Sequence, residues 1–187
     1  MHKLTANLFG LVFLLGSGAA AADLLGSEER TRVATPDRQY LSAMAGFTAV
    51  DDDRAENVDE GLHAVGIYGY QFDNNFGVEG SFAAEAVRGA GHRVTAMLDG
   101  YYGFANRRAG NAVPYYLAGI GLAHNDIDSD STTNLAYNIG LGISAPLDDL
   151  IGLRLRFRGE ARYFHDTVGD GLDDFRVSLG LEVPLFR

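Results

Sequence analysis

From Tyr40 onward, apolar and polar residues alternate one by one in segments of 11 to 14 residues separated by turn-forming gaps. The pattern is clearest late in the chain. In 150–163, Ile151, Leu153, Leu155, Phe157, Ala161 and Tyr163 share one face, and Arg154, Arg156, Arg158, Glu160 and Arg162 share the other. In 174–186, Phe175, Val177, Leu179, Leu181, Val183 and Leu185 oppose Arg176, Ser178, Gly180 and Glu182. In 134–145, Leu135, Tyr137, Ile139, Leu141 and Ile143 oppose Ala136, Asn138, Gly140, Gly142 and Ser144. A period of two over such lengths belongs to a strand, because a helix would scatter these residues around its axis. Eight segments carry it: 40–50, 61–71, 76–86, 92–104, 113–124, 134–145, 150–163 and 174–186. An even set of long strands, each with one continuous apolar face, predicts an all-β fold: an eight-stranded antiparallel up-and-down β-barrel that crosses a membrane. The pattern leaves 61–71 undecided, since Leu62, Ala64, Gly66 and Tyr68 are as apolar as His63, Val65, Ile67 and Gly69.

Polarity inside and apolarity outside reverse the order of a soluble barrel, where charged residues face water. The abundance of glycine fits this inversion. A narrow barrel has little interior room, so inward Gly and Ala on some strands leave space for Arg and Glu from others. Mean hydropathy is only −0.04. That value does not argue against a membrane, because strand alternation dilutes the average.

The start of the chain adds a compartment. His2 and Lys3 precede an apolar run from Leu8 to Leu15, and Ala20, Ala21 and Ala22 precede Asp23. This is the layout of a secretory signal, with an apolar core too short to cross a bilayer as a helix. Residues 1–22 are therefore read as a signal peptide, 23–39 as a flexible lead and 40–187 as the barrel. Removal of the signal takes away Lys3, the only lysine, and leaves 14 arginines against 25 acids, a formal charge of −11. That balance excludes nucleic acid as a partner, since phosphates require a basic face. There is no cysteine, hence no disulfide framework and no thiolate metal site. No cofactor is expected. With both barrel ends on the periplasmic side, the turns fall at 72–75, 105–112 and 146–149, and the outer loops at 51–60, 87–91, 125–133 and 164–173.

Four stretches carry a family resemblance: Tyr40–Arg54 (YLSAMAGFTAVDDDR), Gly66–Phe82 (GIYGYQFDNNFGVEGSF), Pro114–His124 (PYYLAGIGLAH) and Leu172–Phe186 (LDDFRVSLGLEVPLF). Together they resemble the small outer-membrane barrels related to the OmpA transmembrane domain, with OmpW-like and opacity-type barrels sharing the grammar. The resemblance spans essentially residues 40–187. It implies the outer membrane of a Gram-negative bacterium and a structural, adhesive or narrow-channel role. The implied partners are outer-membrane lipid, lipopolysaccharide and the outer-membrane assembly machinery. Many OmpA-type chains continue into a peptidoglycan-binding domain; this sequence does not, and no wall-anchoring role is expected. Such barrels usually end on an aromatic residue, whereas here Phe186 is followed by Arg187.

The alternation turns one set of charges inward: Glu79, Glu85, Asp99, Glu160 and Glu182 with Arg93, Arg154, Arg156, Arg158, Arg162 and Arg176. Charges persist in a confined interior when paired, and arginine can fork onto carboxylates. The near balance of acids and arginines predicts a salt-bridged filling that keeps the barrel closed; the alternative is a gate or narrow passive channel for small solutes. Asp51, Asp52, Asp53, Glu56, Asp59 and Glu60 form an acidic loop, and Asp126, Asp128 and Asp130 alternate in another. The latter is not an EF-hand, because Ser131 stands where Gly is needed and Tyr137 where the bidentate Glu is needed. These loops are read as solvated surface, with lipopolysaccharide bridging or an unknown surface ligand as the functional alternative, and no metal site is assigned.

A third reading is enzymatic. Eight-stranded lipid A deacylases place His and Ser two residues apart near the end of a late strand, with an acid assisting. Tyr163-Phe164-His165-Asp166-Thr167 is distantly similar, with Thr167 in the serine position. A histidine-activated hydroxyl would be chemically reasonable, but no Ser flanks this His. The expectation is that the chain is not an enzyme and has no catalytic residues. Finally, Tyr40, Tyr68, Tyr70, Phe72, Phe76, Tyr101, Tyr102, Phe104, Tyr115, Tyr116, Tyr163, Phe164 and Phe175 lie near predicted strand ends, which suits interfacial girdles.

Overall fold

In the computed structural model, residues 39–49, 60–72, 75–87, 91–104, 111–127, 130–147, 154–167 and 172–185 are described. The strands are β1 (Gln39–Ala49), β2 (Glu60–Gln71), β3 (Phe76–Val87), β4 (Gly91–Gly103), β5 (Val113–Ile127), β6 (Asp130–Pro146), β7 (Arg156–Asp166) and β8 (Leu172–Pro184). Each pairs antiparallel with the next, and β8 pairs with β1 to close an eight-stranded barrel. Closure gives every strand two partners and leaves no edge, which a membrane requires of a sheet. No helix among the described residues is long and apolar enough to cross a bilayer; the crossing elements are strands. The expected signal, residues 23–38 of the expected lead and residues 51–59 of the expected 51–60 loop lie outside the described residues, while Gln39 and Glu60 open β1 and β2.

Burial alternates along the strands in the expected sense. Phe47, Leu98 and Ile139 are 65%, 64% and 62% exposed, whereas Arg158 and Asp99 are fully buried. Large apolar side chains at the surface with charges inside is the solvent order of a lipid-facing barrel. The strand left undecided by the sequence is settled by register. Ala45 of β1 sits opposite Ala64, and Ala64 opposite Ala84 of β3. Leu62 and Tyr68 therefore face outward, and His63, Ile67 and Gln71 face the lumen.

Three boundaries differ from the sequence reading. The loop expected at 125–133 is mostly paired: β5 and β6 stay in register up to Ile127 opposite Asp130. The threonines of this stretch suit a strand, and Asp126 sits at an exposed position. At the other end, β7 starts at Arg156, not at 150. The connection runs from Leu147 to Leu155, whose backbones bond at 2.8 Å, and is not the tight 146–149 turn. The sequence alternation in IGLRLRFR begins before the first paired residue, Arg156. Third, β7 continues to Asp166 and β8 begins at Leu172, so much of the loop expected at 164–173 is strand. Ile151 and Leu153 lie outside the described residues.

Candidate functional site

Among the described residues, the lumen gathers polar and charged side chains from many strands. Its lower part, towards Gln39 and Pro184, is built on β7. Arg158, Glu160 and Arg162 point inward from alternate positions of that strand and form a ladder along it. Glu160 accepts from Arg158 Nε at 2.7 Å through one oxygen and from Arg162 Nε at 2.7 Å through the other. Both arginines then reach across the barrel. Arg158 Nη2 donates to Glu79 of β3 at 2.7 Å, and Arg162 Nη1 donates to Asp99 of β4 at 2.9 Å. Asn138 of β6 donates to the second oxygen of Asp99 at 2.6 Å. Hydroxyls complete the carboxylates: Tyr115 donates to Glu160 at 2.6 Å and Tyr40 donates to Glu79. Charge-assisted bonds of this kind are the strong ones, and burial raises the cost of losing any partner.

A second cluster occupies the opposite part of the lumen. Arg176 Nη2 donates to Glu85 at 2.7 Å, and Arg93 pairs with Asp174. The Arg176 guanidinium also lies 4.0 Å from the centre of the Phe164 ring, a cation–π contact. His63 is hydrogen-bonded to Ser178 at 2.7 Å and to Thr48 at 3.0 Å, tying β2 to β8 and β1. Asn125 donates to Asp166 at 2.9 Å.

Ten of the eleven charges expected in the lumen are brought there. Glu79, Glu85, Arg93, Asp99, Arg158, Glu160, Arg162, Arg176 and Glu182 are buried. Arg156 is half-buried at the mouth, where its Nε bonds Ser144 at 2.8 Å and lies 3.7 Å from Glu182. Arg154 is the correction: it is exposed and precedes the first paired residue of β7. It shares the parity of Arg156 but lies outside the barrel wall that would turn it inward. Sequence reading missed Asp166 and Asp174, both inward and buried, because they fell in an expected loop and at a strand margin. Extending the period of two from Arg162 through Phe164 to Asp166 would have found the first.

The aromatic girdle also needs correction. Tyr40, Tyr101, Tyr115 and Phe164 are buried in the lumen, at inward positions. Phe72, Phe76, Tyr102, Phe104 and Tyr116 do lie on the outer wall, where Phe76 and Tyr102 pack at 4.8 Å and Tyr102 and Tyr116 at 5.6 Å. On the outer wall near the far end, His165 Nδ1 is bonded to Asp173 at 2.7 Å and the ring stacks on Tyr137. Thr167 gives its hydroxyl proton to the Leu135 carbonyl at 2.9 Å.

Residues 9–182 match the family model described as the outer membrane protein beta-barrel domain. The chain belongs to that family. It is an outer-membrane β-barrel of a Gram-negative bacterium, and solved barrels share its fold. Neisserial surface protein A superposes with a TM-score of 0.61 at 14% identity, over 80% of this chain and 98% of that one. The outer membrane protein OprG from Pseudomonas aeruginosa gives 0.54 at 14% identity, over 78% and 95%. A de novo designed transmembrane β-barrel gives 0.52 at 12% identity, over 81% and 98%. That a designed chain also matches shows how far the likeness is one of architecture. No curated protein matches the chain.

Proposed function

We propose that this barrel is a closed structural or surface protein of the outer membrane, and neither an open channel nor an enzyme. The observation that carries this reading is the cross-lumen ladder. Glu79, Arg158, Glu160, Arg162 and Asp99 link β3, β4 and β7 through bonds of 2.7 to 2.9 Å. Paired charges packed across so narrow a barrel fill its lumen and leave no wide aqueous pore. Its partners are outer-membrane lipid and lipopolysaccharide around the wall, the assembly machinery during insertion, and any surface ligand at the acidic loops. Planar-bilayer recording tests the reading: the parent protein gives no steady single-channel steps. Large, stable conductance would replace it with the passive channel.

A lipid-modifying hydrolase is the second reading, favoured by the His165–Asp173 bond, because an acid that orients a histidine is how hydroxyl nucleophiles are activated. It is the weaker one. Thr167, the hydroxyl two residues on, has its proton directed to the Leu135 carbonyl.

A further inference from the structure

The lumen has two kinds of layer, and they differ in how completely their polar atoms are satisfied. Each β7 arginine of the ion-pair lattice is bonded through Nε and one Nη but not through the other. Arg158 Nη1, Arg162 Nη2 and Arg93 Nε are buried without a hydrogen-bond partner among the described residues. These nitrogens stand, in turn, 3.7 Å from Glu182, 3.9 Å from Glu79 and 3.7 Å from Glu85. Such separations exceed a direct hydrogen bond and suit a bridging water. Buried donors in native proteins find partners, and internal water is the usual one in a polar interior.

Below the lattice lies a layer of the opposite character. The rings of Tyr40, Tyr101 and Tyr115 pack edge to face, with centres 6.5 and 6.0 Å apart, and Leu117 joins them. Tyr40 and Tyr115 turn their hydroxyls to the lattice carboxylates. Each ring also covers an inward glycine directly opposite on a neighbouring strand: Gly69, Gly77 and Gly142. A Cβ built at any of the three would come within 2.1 to 2.3 Å of a ring atom, so each tyrosine leans sideways over the neighbouring strand and into the lumen.

We infer that this three-tyrosine layer is the seal of the barrel, and that the ion-pair lattice above it is a hydrated filling. A polar lattice with unmet donors admits water, whereas an apolar constriction excludes ions by dewetting. The inference rests on the reading that the barrel is closed, and it locates the closure.

The test combines bilayer recording with a measurement on the unaltered protein. Tyr101→Ala removes the middle ring. The expected result is single-channel steps that the parent lacks. Moving the ring to the opposite strand, with Tyr101→Gly and Gly77→Tyr together, silences them again. Glu160→Ala, which disrupts the lattice and spares the rings, stays silent while folded. Heat-modifiable gel mobility identifies folded protein in each case. In the parent in nanodiscs, NMR contacts to water are expected at the Arg158 and Arg93 side-chain N–H groups and not at the Tyr101 ring. A silent, folded Tyr101→Ala barrel, or water contacts at the Tyr101 ring equal to those at Arg158, overturns the seal. Should Tyr101→Ala not fold, the water contacts alone decide. Conductance in the parent would instead overturn the closed-barrel reading.

Discussion

Tyr115 on β5 stands directly opposite Gly142 on β6, and its ring fills the space a side chain at 142 would need. The glycine is thus a complement to the tyrosine, and the Glu160 carboxylate that accepts the tyrosine hydroxyl at 2.6 Å is held in place by the same arrangement.

Gly142→Ala should therefore destabilise the barrel, by about 1–3 kcal/mol for a side chain forced into a filled site. Gly80→Ala is the matched control, since a Cβ there meets nothing within 4 Å, and it should be close to neutral. Urea unfolding of both variants in lipid vesicles checks the difference. Equal stability would show that the Tyr115 ring yields freely.

Glu160 holds Arg158, Arg162 and Tyr115 at once. Glu160→Ala should cost about 3–5 kcal/mol, because two buried arginines lose their shared carboxylate. Asp126→Ala, at an exposed position, should change stability by less than ~0.5 kcal/mol. Thermal unfolding in detergent compares the two.

Leu179 is 58% exposed on the outer wall of β8. Leu179→Arg should lose roughly 2–4 kcal/mol of folding stability in a bilayer if the site lies near the midplane. The readout is the unfolding midpoint in vesicles. A variant as stable as the parent would contradict the assignment of this face to lipid.

His165→Ala and Thr167→Ala should leave the lipid A of an expressing strain unchanged in mass relative to the parent. A modified lipid A species produced by the parent and lost with His165→Ala would establish the hydrolase.

The strand count, the late-strand facings and most of the lumen charges were legible because inside and outside differ in charge, as they do for Arg158 against Phe157. Where the two faces have similar polarity the signal vanishes. Leu62 and His63 could not be ranked, and only the register with β1 and β3 places them. Ladder ends were illegible for a related reason. Arg154 and Arg156 have the same parity, and what separates them is where the paired ladder begins. The tyrosines were misplaced because a ring near a strand end suits an interface equally well. The directly opposed glycines at 69, 77 and 142 decide it, and those pairings need the register.

The lattice also joins positions far apart in the chain: Arg158 to Glu79 across 79 residues, Arg93 to Asp174 across 81 and Arg176 to Glu85 across 91. None of these bonds can form on a single hairpin. An open sheet that has not yet joined β8 to β1 would carry its arginines and carboxylates on one face without their cross-barrel partners. Entry into lipid in that state would strand the charges, so the lattice couples insertion to ring closure. The interior thereby acts as a proofreading device on assembly, rewarding the complete circle and penalising every partial one.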